Sequence, residues 1–168
     1  GNRVGYTAAL ECAFAQGPVM PGDQVVFARI RIRIDGLQTG ATYTITHPYK
    51  VEQIVSEDGT INMTRDIGVA VGDFKGALAG DLTHFVVPVG FDINNAPPGS
   101  FISDFATEVP VQAGPSGFAY FEIAGPGADT AYPEYAVLDA QGAPIPGVAR
   151  LNLFTMQGRV ARVVLRMP

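Results

Sequence analysis

The stretch Gln24-Val25-Val26-Phe27-Ala28-Arg29-Ile30-Arg31-Ile32-Arg33-Ile34-Asp35 decides the fold. Ala28, Ile30, Ile32 and Ile34 recur at every second position, and Phe27, Arg29, Arg31 and Arg33 fill the positions between them. Period two is the repeat of a strand, whose successive side chains point to opposite faces. An aliphatic, β-branched row backed by a charged row predicts a strand with one buried and one solvated face.

The same period extends outward in both directions. Upstream, Val4, Tyr6, Ala8, Leu10, Cys12 and Phe14 share a parity, which predicts a strand, although the Ala and Glu content also allows a helix. Gly17, Pro18, Pro21 and Gly22 interrupt it. Downstream, Gly36 to Gly40 reads as a turn and Ala41 to Thr46 as a Thr/Tyr/Ile strand that closes at His47-Pro48. Lys50 to Val55 and Thr60 to Thr64 flank Glu57-Asp58-Gly59, and an Asp-Gly pair between strand-like runs predicts a hairpin. Leu82 to Val89 reads as a strand whose Pro88 favours an edge. Phe118 to Ile123 is an aromatic strand, and Ala149 to Met156 with Arg159 to Arg166 reads as a terminal hairpin around Gln157-Gly158. Gly68 to Gly80 has no clear period, and residues 91–117 and 125–146 read as irregular.

That makes about nine strands, with turn residues between them and no helix. The predicted fold is an all-β antiparallel sandwich of immunoglobulin- or fibronectin III-like or jelly-roll-like architecture, with long loops, forming a single domain over residues 1–168. Two halves of this length would each have a marginal core. With no Trp and one cysteine, the immunoglobulin hallmarks are missing. Only 16 % of residues are charged, below the roughly 25 % of an average soluble chain, and 20 Gly with 13 Pro suit many short strands.

Composition also excludes functions. The formal net charge is −5, with only two lysines, Lys50 and Lys75, which argues against nucleic acid and against a polybasic membrane contact. No stretch approaches the roughly 20 apolar residues of a membrane-spanning helix, so no membrane insertion is expected. Cys12 in its apolar stretch is expected to be a buried small hydrophobe.

Several residues are candidates for chemistry. Arg29, Arg31 and Arg33 form either a cationic stripe for an acidic partner or anionic glycan, or a solvated face paired with cross-strand acids. His47 and His84 lack the spacing of a zinc site and are expected to be structural. Ser56, Ser100, Ser103 and Ser116 lie outside any G-x-S-x-G, and a pair among 16 acids is inevitable by number alone, so no enzyme is expected. Asp92-Ile93-Asn94-Asn95 alternates oxygen ligands as calcium loops do, making Asp92 and Asn94 a candidate calcium pair, but lacks the Gly and Glu of an EF-hand. Asx turns explain it as well. No other cofactor is suggested. Tyr49, Tyr132 and Tyr135 lie in loop-like, Pro-containing stretches and could stack on sugar rings or simply pin the loops.

At the level of the whole chain a resemblance emerges. The block from Pro21 to Arg33 followed by Tyr43-Thr44-Ile45-Thr46-His47-Pro48-Tyr49 resembles one in uncharacterised bacterial secreted proteins. Asp66-Ile67-Gly68, Phe101-Ile102-Ser103-Asp104, Phe121-Glu122-Ile123-Ala124-Gly125-Pro126 and Leu153-Phe154-Thr155 are similar to the same group, in the same order. The resemblance implies an extracellular or cell-surface bacterial protein whose relatives carry a further segment before this one, and it implies no activity. Gly1 is not an initiator methionine and strand-like sequence starts at once, so the chain reads as part of a longer precursor.

The function these readings favour is a non-enzymatic structural or binding module with a protein or glycan partner. The alternatives are a carbohydrate-binding module using the loop tyrosines, and a self-associating fibre subunit joined by strand exchange at an exposed sheet edge.

Overall fold

In a computed structural model, residues 1–82, 86–92, 95 and 110–152 are described. They are mostly strands, arranged in three antiparallel sheets. Sheet A has the order β1-β2-β5, from β1 (Val4–Phe14), β2 (Gln24–Ile34) and β5 (Ile61–Ile67). Sheet B has the order β4-β3-β8-β10-β9, from β3 (Thr42–His47), β4 (Lys50–Val55), β8 (Tyr120–Ala124), β9 (Ala136–Leu138) and β10 (Pro144–Asn152). β6 (Val86–Pro88) and β7 (Val111–Ala113) form a small separate pair. Ten strands therefore lie among the described residues. The region read as a loop between β8 and β10 also carries α1 (Ala128–Ala131), a single helical turn, and a 3-10 turn at Pro133–Tyr135.

The isoleucine row does what its period predicts. Ile30, Ile32 and Ile34 of β2, with Ile61 of β5, are almost fully buried against Tyr43 and Ile45 of β3, Phe121 and Ile123 of β8 and Ala149 of β10. Val4 and Tyr6 of β1 and Ile54 of β4 pack on the rim of this cluster. The two sheets thus share one aliphatic and aromatic interior, in a sandwich-like arrangement. Fully burying one such side chain contributes about 1.5–3 kcal/mol.

Two tyrosines lock loops to this interior. The Tyr43 hydroxyl donates to the Pro126 carbonyl at 2.7 Å and accepts the Gln38 amide at 3.0 Å. Its ring lies so close to Gly125 that a Cβ there would sit 2.5 Å from it, so only glycine fits. The Tyr132 hydroxyl donates to the carbonyls of Arg3 and Asp35, tying α1 to the start of β1 and the end of β2. Burial pushes its phenol up to about 12, so it remains a donor.

The structure departs from the sequence reading at several points. The Asp58-Gly59 turn forms, with positive φ at both residues and a bridge between Glu57 and Thr60. Yet β4 and β5 are not a hairpin: β4 pairs with β3, and β5 pairs with β2. The turn reverses the chain locally, then hands it from sheet B to sheet A, because Ile54 and Ile61 bury toward the same core from opposite sheets. Cys12 is exposed rather than buried. It keeps the inward parity, but the second half of β1 extends past the core, and Leu10 beside it is 60 % exposed. Only Val86–Pro88 of the strand expected from Leu82 is described as one, and the expected terminal hairpin lies outside the described residues beyond Asn152.

The contrast between the two halves of the inward row is measurable. Ile32→Ala, at a site with no exposure, should lower unfolding free energy in urea titration by about 2–5 kcal/mol. Cys12→Ser, on the overhang, should change it by less than about 0.5 kcal/mol.

Candidate functional site

Two polar clusters stand out, one on each face of sheet A. On the outer face, β2 places Arg29, Arg31 and Arg33 between β1 and β5. Arg29 is saturated. Its Nε and Nη2 grip both oxygens of Asp66 at 2.7 Å, and Nη1 reaches Glu11 at 3.0 Å. The guanidinium lies 4.9 Å from the centroid of the Phe27 ring. The bidentate bond from Arg29 holds the Asp66 carboxyl below the ordinary range.

The other two arginines differ. Arg33 donates to the carbonyls of Met63 and Ile32 and to the Thr64 hydroxyl, all neutral acceptors. Arg31 makes no hydrogen bond among the described residues, and its Nε is shielded from water without a partner. Of the acids expected to balance this row, Glu11 and Asp66 both go to Arg29. The paired-face reading therefore describes Arg29 fully, while Arg31 and Arg33 make no ion pair among the described residues and Arg31 acts on Asp66 only at longer range. Exposed Thr7, Asn62 and Thr64 surround them, and Gly5 leaves the space beside Arg33 open.

The second cluster lies between the sheets at one end of the core. The Tyr6 hydroxyl from β1 sits 3.2 Å from His47 Nδ1, and His47 Nε2 sits 3.3 Å from Glu52 Oε1 on β4. Glu52 Oε2 accepts Arg65 of β5 at 2.9 Å, Arg65 also reaches Asp81 at 2.9 Å, and Lys50 meets Asp81 at 3.3 Å. The Tyr49 backbone N–H donates to His47 Nδ1 at 3.3 Å. With two donors aimed at Nδ1, the ring proton belongs on Nε2, donating to Glu52.

Electrostatics agree with that assignment. Burial is the main cause that lowers the His47 imidazole below its ordinary 6.5, so the ring is neutral near pH 7. Burial alone would raise the Glu52 carboxyl, but the hydrogen bonds from Arg65 and His47 outweigh it and hold it low. Burial also raises the Tyr6 and Tyr49 phenols. His47 is 0 % exposed and both ring nitrogens are engaged, so the arrangement acts as a strap between sheets A and B rather than as an open base.

This cluster was not picked out from the sequence, yet strand parity carried the signal. Glu52 shares the parity of Ile54, and Arg65 shares that of Ile61 and Met63, which places charge on inward-facing positions that only a partner can support.

The remaining candidates scatter. Tyr132 is 1 % exposed and belongs to the core, so its ring offers no face to a sugar. Tyr49 is half-buried beside His47, at 6.3 Å between ring centroids, and Tyr135 is 37 % exposed. The Ser116 hydroxyl donates to the Pro48 carbonyl and accepts the Phe118 amide, pinning the turn between β3 and β4. Asp92 accepts the side-chain amide of Asn95, as an Asx-type loop does. Asn94, His84, Ser100 and Ser103 lie outside the described residues. No group of three or more potential metal ligands occurs among the described residues.

Both His47 and Glu52 titrate below their ordinary values, so acid binds the unfolded chain first. The stability they contribute should be complete above about pH 7, and should fall through His47 below 6.5 and through Glu52 below 4.5. Thermal melts from pH 8 to pH 3 check this. Glu52→Gln should cost about 1–3 kcal/mol at pH 7 and flatten the acid limb.

Compared with protein-family models, curated proteins and solved structures, the chain matches none.

Proposed function

We propose that this chain is a non-enzymatic extracellular module of a bacterial surface or secreted protein, and that it binds an anionic glycan on the outer face of sheet A. The observation that carries this reading is the unequal pairing of the arginine row: among the described residues Arg29 forms ion pairs with both Glu11 and Asp66, while Arg31 and Arg33 form none. Guanidinium is a planar fork that suits carboxylate or sulfate groups, and β2 holds these two side chains two residues apart on a rigid surface. Thr7, Asn62 and Thr64 add hydroxyl and amide groups around them for a polyhydroxylated ligand. The rest of the chain is net acidic, which makes the stripe a local attraction rather than a general one. The extracellular setting rests on the resemblance to bacterial secreted proteins.

The non-enzymatic part is supported by the enclosure of His47, which is 0 % exposed and so offers no face to a substrate. A reading based on aromatic stacking by loop tyrosines is weaker, because Tyr132 is enclosed and Tyr49 is half-buried.

Glycan arrays containing uronate and sulfated chains, followed by titration calorimetry, test the proposal. Arg31→Ala combined with Arg33→Ala should weaken binding at least about tenfold, equivalent to about 1.4 kcal/mol, and added salt should weaken the parent's binding. Tyr135→Ala should leave it unchanged. Binding that ignores the double substitution, or no binding to any anionic glycan at about millimolar concentration, overturns the glycan reading. Turnover of a bound glycan that one substitution abolishes overturns the non-enzymatic one.

A further inference from the structure

β1 is an edge strand with little protection. It is 11 residues long, it pairs only with β2 among the described residues, and its register runs without a bulge from Val4 opposite Ile34 to Phe14 opposite Gln24. It contains no Pro and no Lys, the residues that ordinarily discourage a neighbouring strand. The other edges are shorter or charged: β9 has three residues, β4 begins with Lys50, and β5 carries Arg65 and Asp66. The only charge on β1, Glu11, is taken by Arg29 at 3.0 Å.

The two halves of β1 are not equivalent. Val4 and Tyr6 pack on the core, so sheet B lies beneath them. Leu10, 60 % exposed, and Cys12, also exposed, hold the same inward parity and are not covered by sheet B. Among the described residues, the strand from Leu10 onward offers both an unpaired hydrogen-bonding edge and exposed apolar side chains.

We infer that the second half of β1 is a homodimer interface, in which a second copy of this chain adds its own β1 antiparallel, centred on Leu10. A two-fold axis perpendicular to the sheet makes the pairing antiparallel and keeps the inner face of one copy continuous with that of the other, so the edge is complementary to itself. Centring on Leu10 sets Leu10 opposite its symmetry mate, Cys12 opposite the mate's Ala8, and Phe14 opposite the mate's Tyr6. It also displaces the two sheets B along the strand direction, by about 27 Å for eight residues at roughly 3.4 Å each, so that they do not compete for space. In each copy Glu11 shares Arg29 with Asp66, so its charge is partly offset, not cancelled, where the two copies meet. The result is a closed pair with a continuous six-stranded sheet, not a fibre.

The interface is short, which places its affinity in the micromolar range rather than the nanomolar. Sedimentation velocity on the full chain should show a reversible dimer at about 100 μM. Leu10→Lys should raise the dissociation constant at least about tenfold, and because Leu10 is exposed the variant keeps its melting temperature. Directly opposed residues of an antiparallel pair lie within disulfide reach. Mild oxidation should therefore cross-link Leu10→Cys in a Cys12→Ser background and spare Thr7→Cys in the same background. A strictly monomeric parent up to about 1 mM, a dimer indifferent to Leu10→Lys, or cross-linking that favours position 7 would overturn the inference. None of these outcomes bears on the arginine face, which is tested separately.

Discussion

The structure depends on burying one row of isoleucines. Ile30, Ile32 and Ile34 occupy the centre of sheet A, and everything on sheet B that faces them is apolar or aromatic: Tyr43, Ile45, Phe121, Ile123 and Ala149. Without that contact neither sheet would hold together, since a three-stranded sheet with one wet face has no other source of stability. The tyrosine hydroxyl bonds and the tight fit of Gly125 against Tyr43 then attach the connecting loops to a core that already exists.

At one end the interior becomes polar. Tyr6, His47, Glu52, Arg65, Asp81 and Lys50 follow one another in a chain of hydrogen bonds and ion pairs that crosses from sheet A to sheet B. Such a chain contributes little net stability over a well-packed apolar replacement, because removing charge from water is costly. It does define which end of sheet A meets which end of sheet B, since sliding the sheets would leave Glu52 or Arg65 without a partner. The same packing encloses the histidine, which is 0 % exposed.

The surface of sheet A has the opposite character. Its outer face holds Arg31 and Arg33, which form no ion pair among the described residues, and its free edge ends in an apolar overhang that sheet B does not reach. The overhang follows from β1 being longer than the strands of sheet B beneath it, at 11 residues against six for β3 and five for β8. On the projecting part the exposure falls on β1, at Leu10 and Cys12, while Val25, Phe27 and Ala28 of β2 stay buried.

The longer strands, the faces of β2 and the all-β class were legible from residue parity, because side-chain alternation is a local property of an extended chain, whereas the three-residue strands β7 and β9 fell in stretches with no period to read. Glu52 and Arg65 share parity with buried neighbours, but only the folded chain shows that they face inward and meet. Parity says nothing about where a facing sheet ends, which is why Cys12, inward by pattern, is exposed. Turn chemistry at Asp58-Gly59 determined a reversal but not a partnership, since strand pairing is chosen by burial across the whole chain. The division of labour among Arg29, Arg31 and Arg33, and the enclosure of Tyr132, were likewise decided by tertiary structure. They depend on which acids and carbonyls distant segments bring alongside, and no spacing along the sequence encodes that.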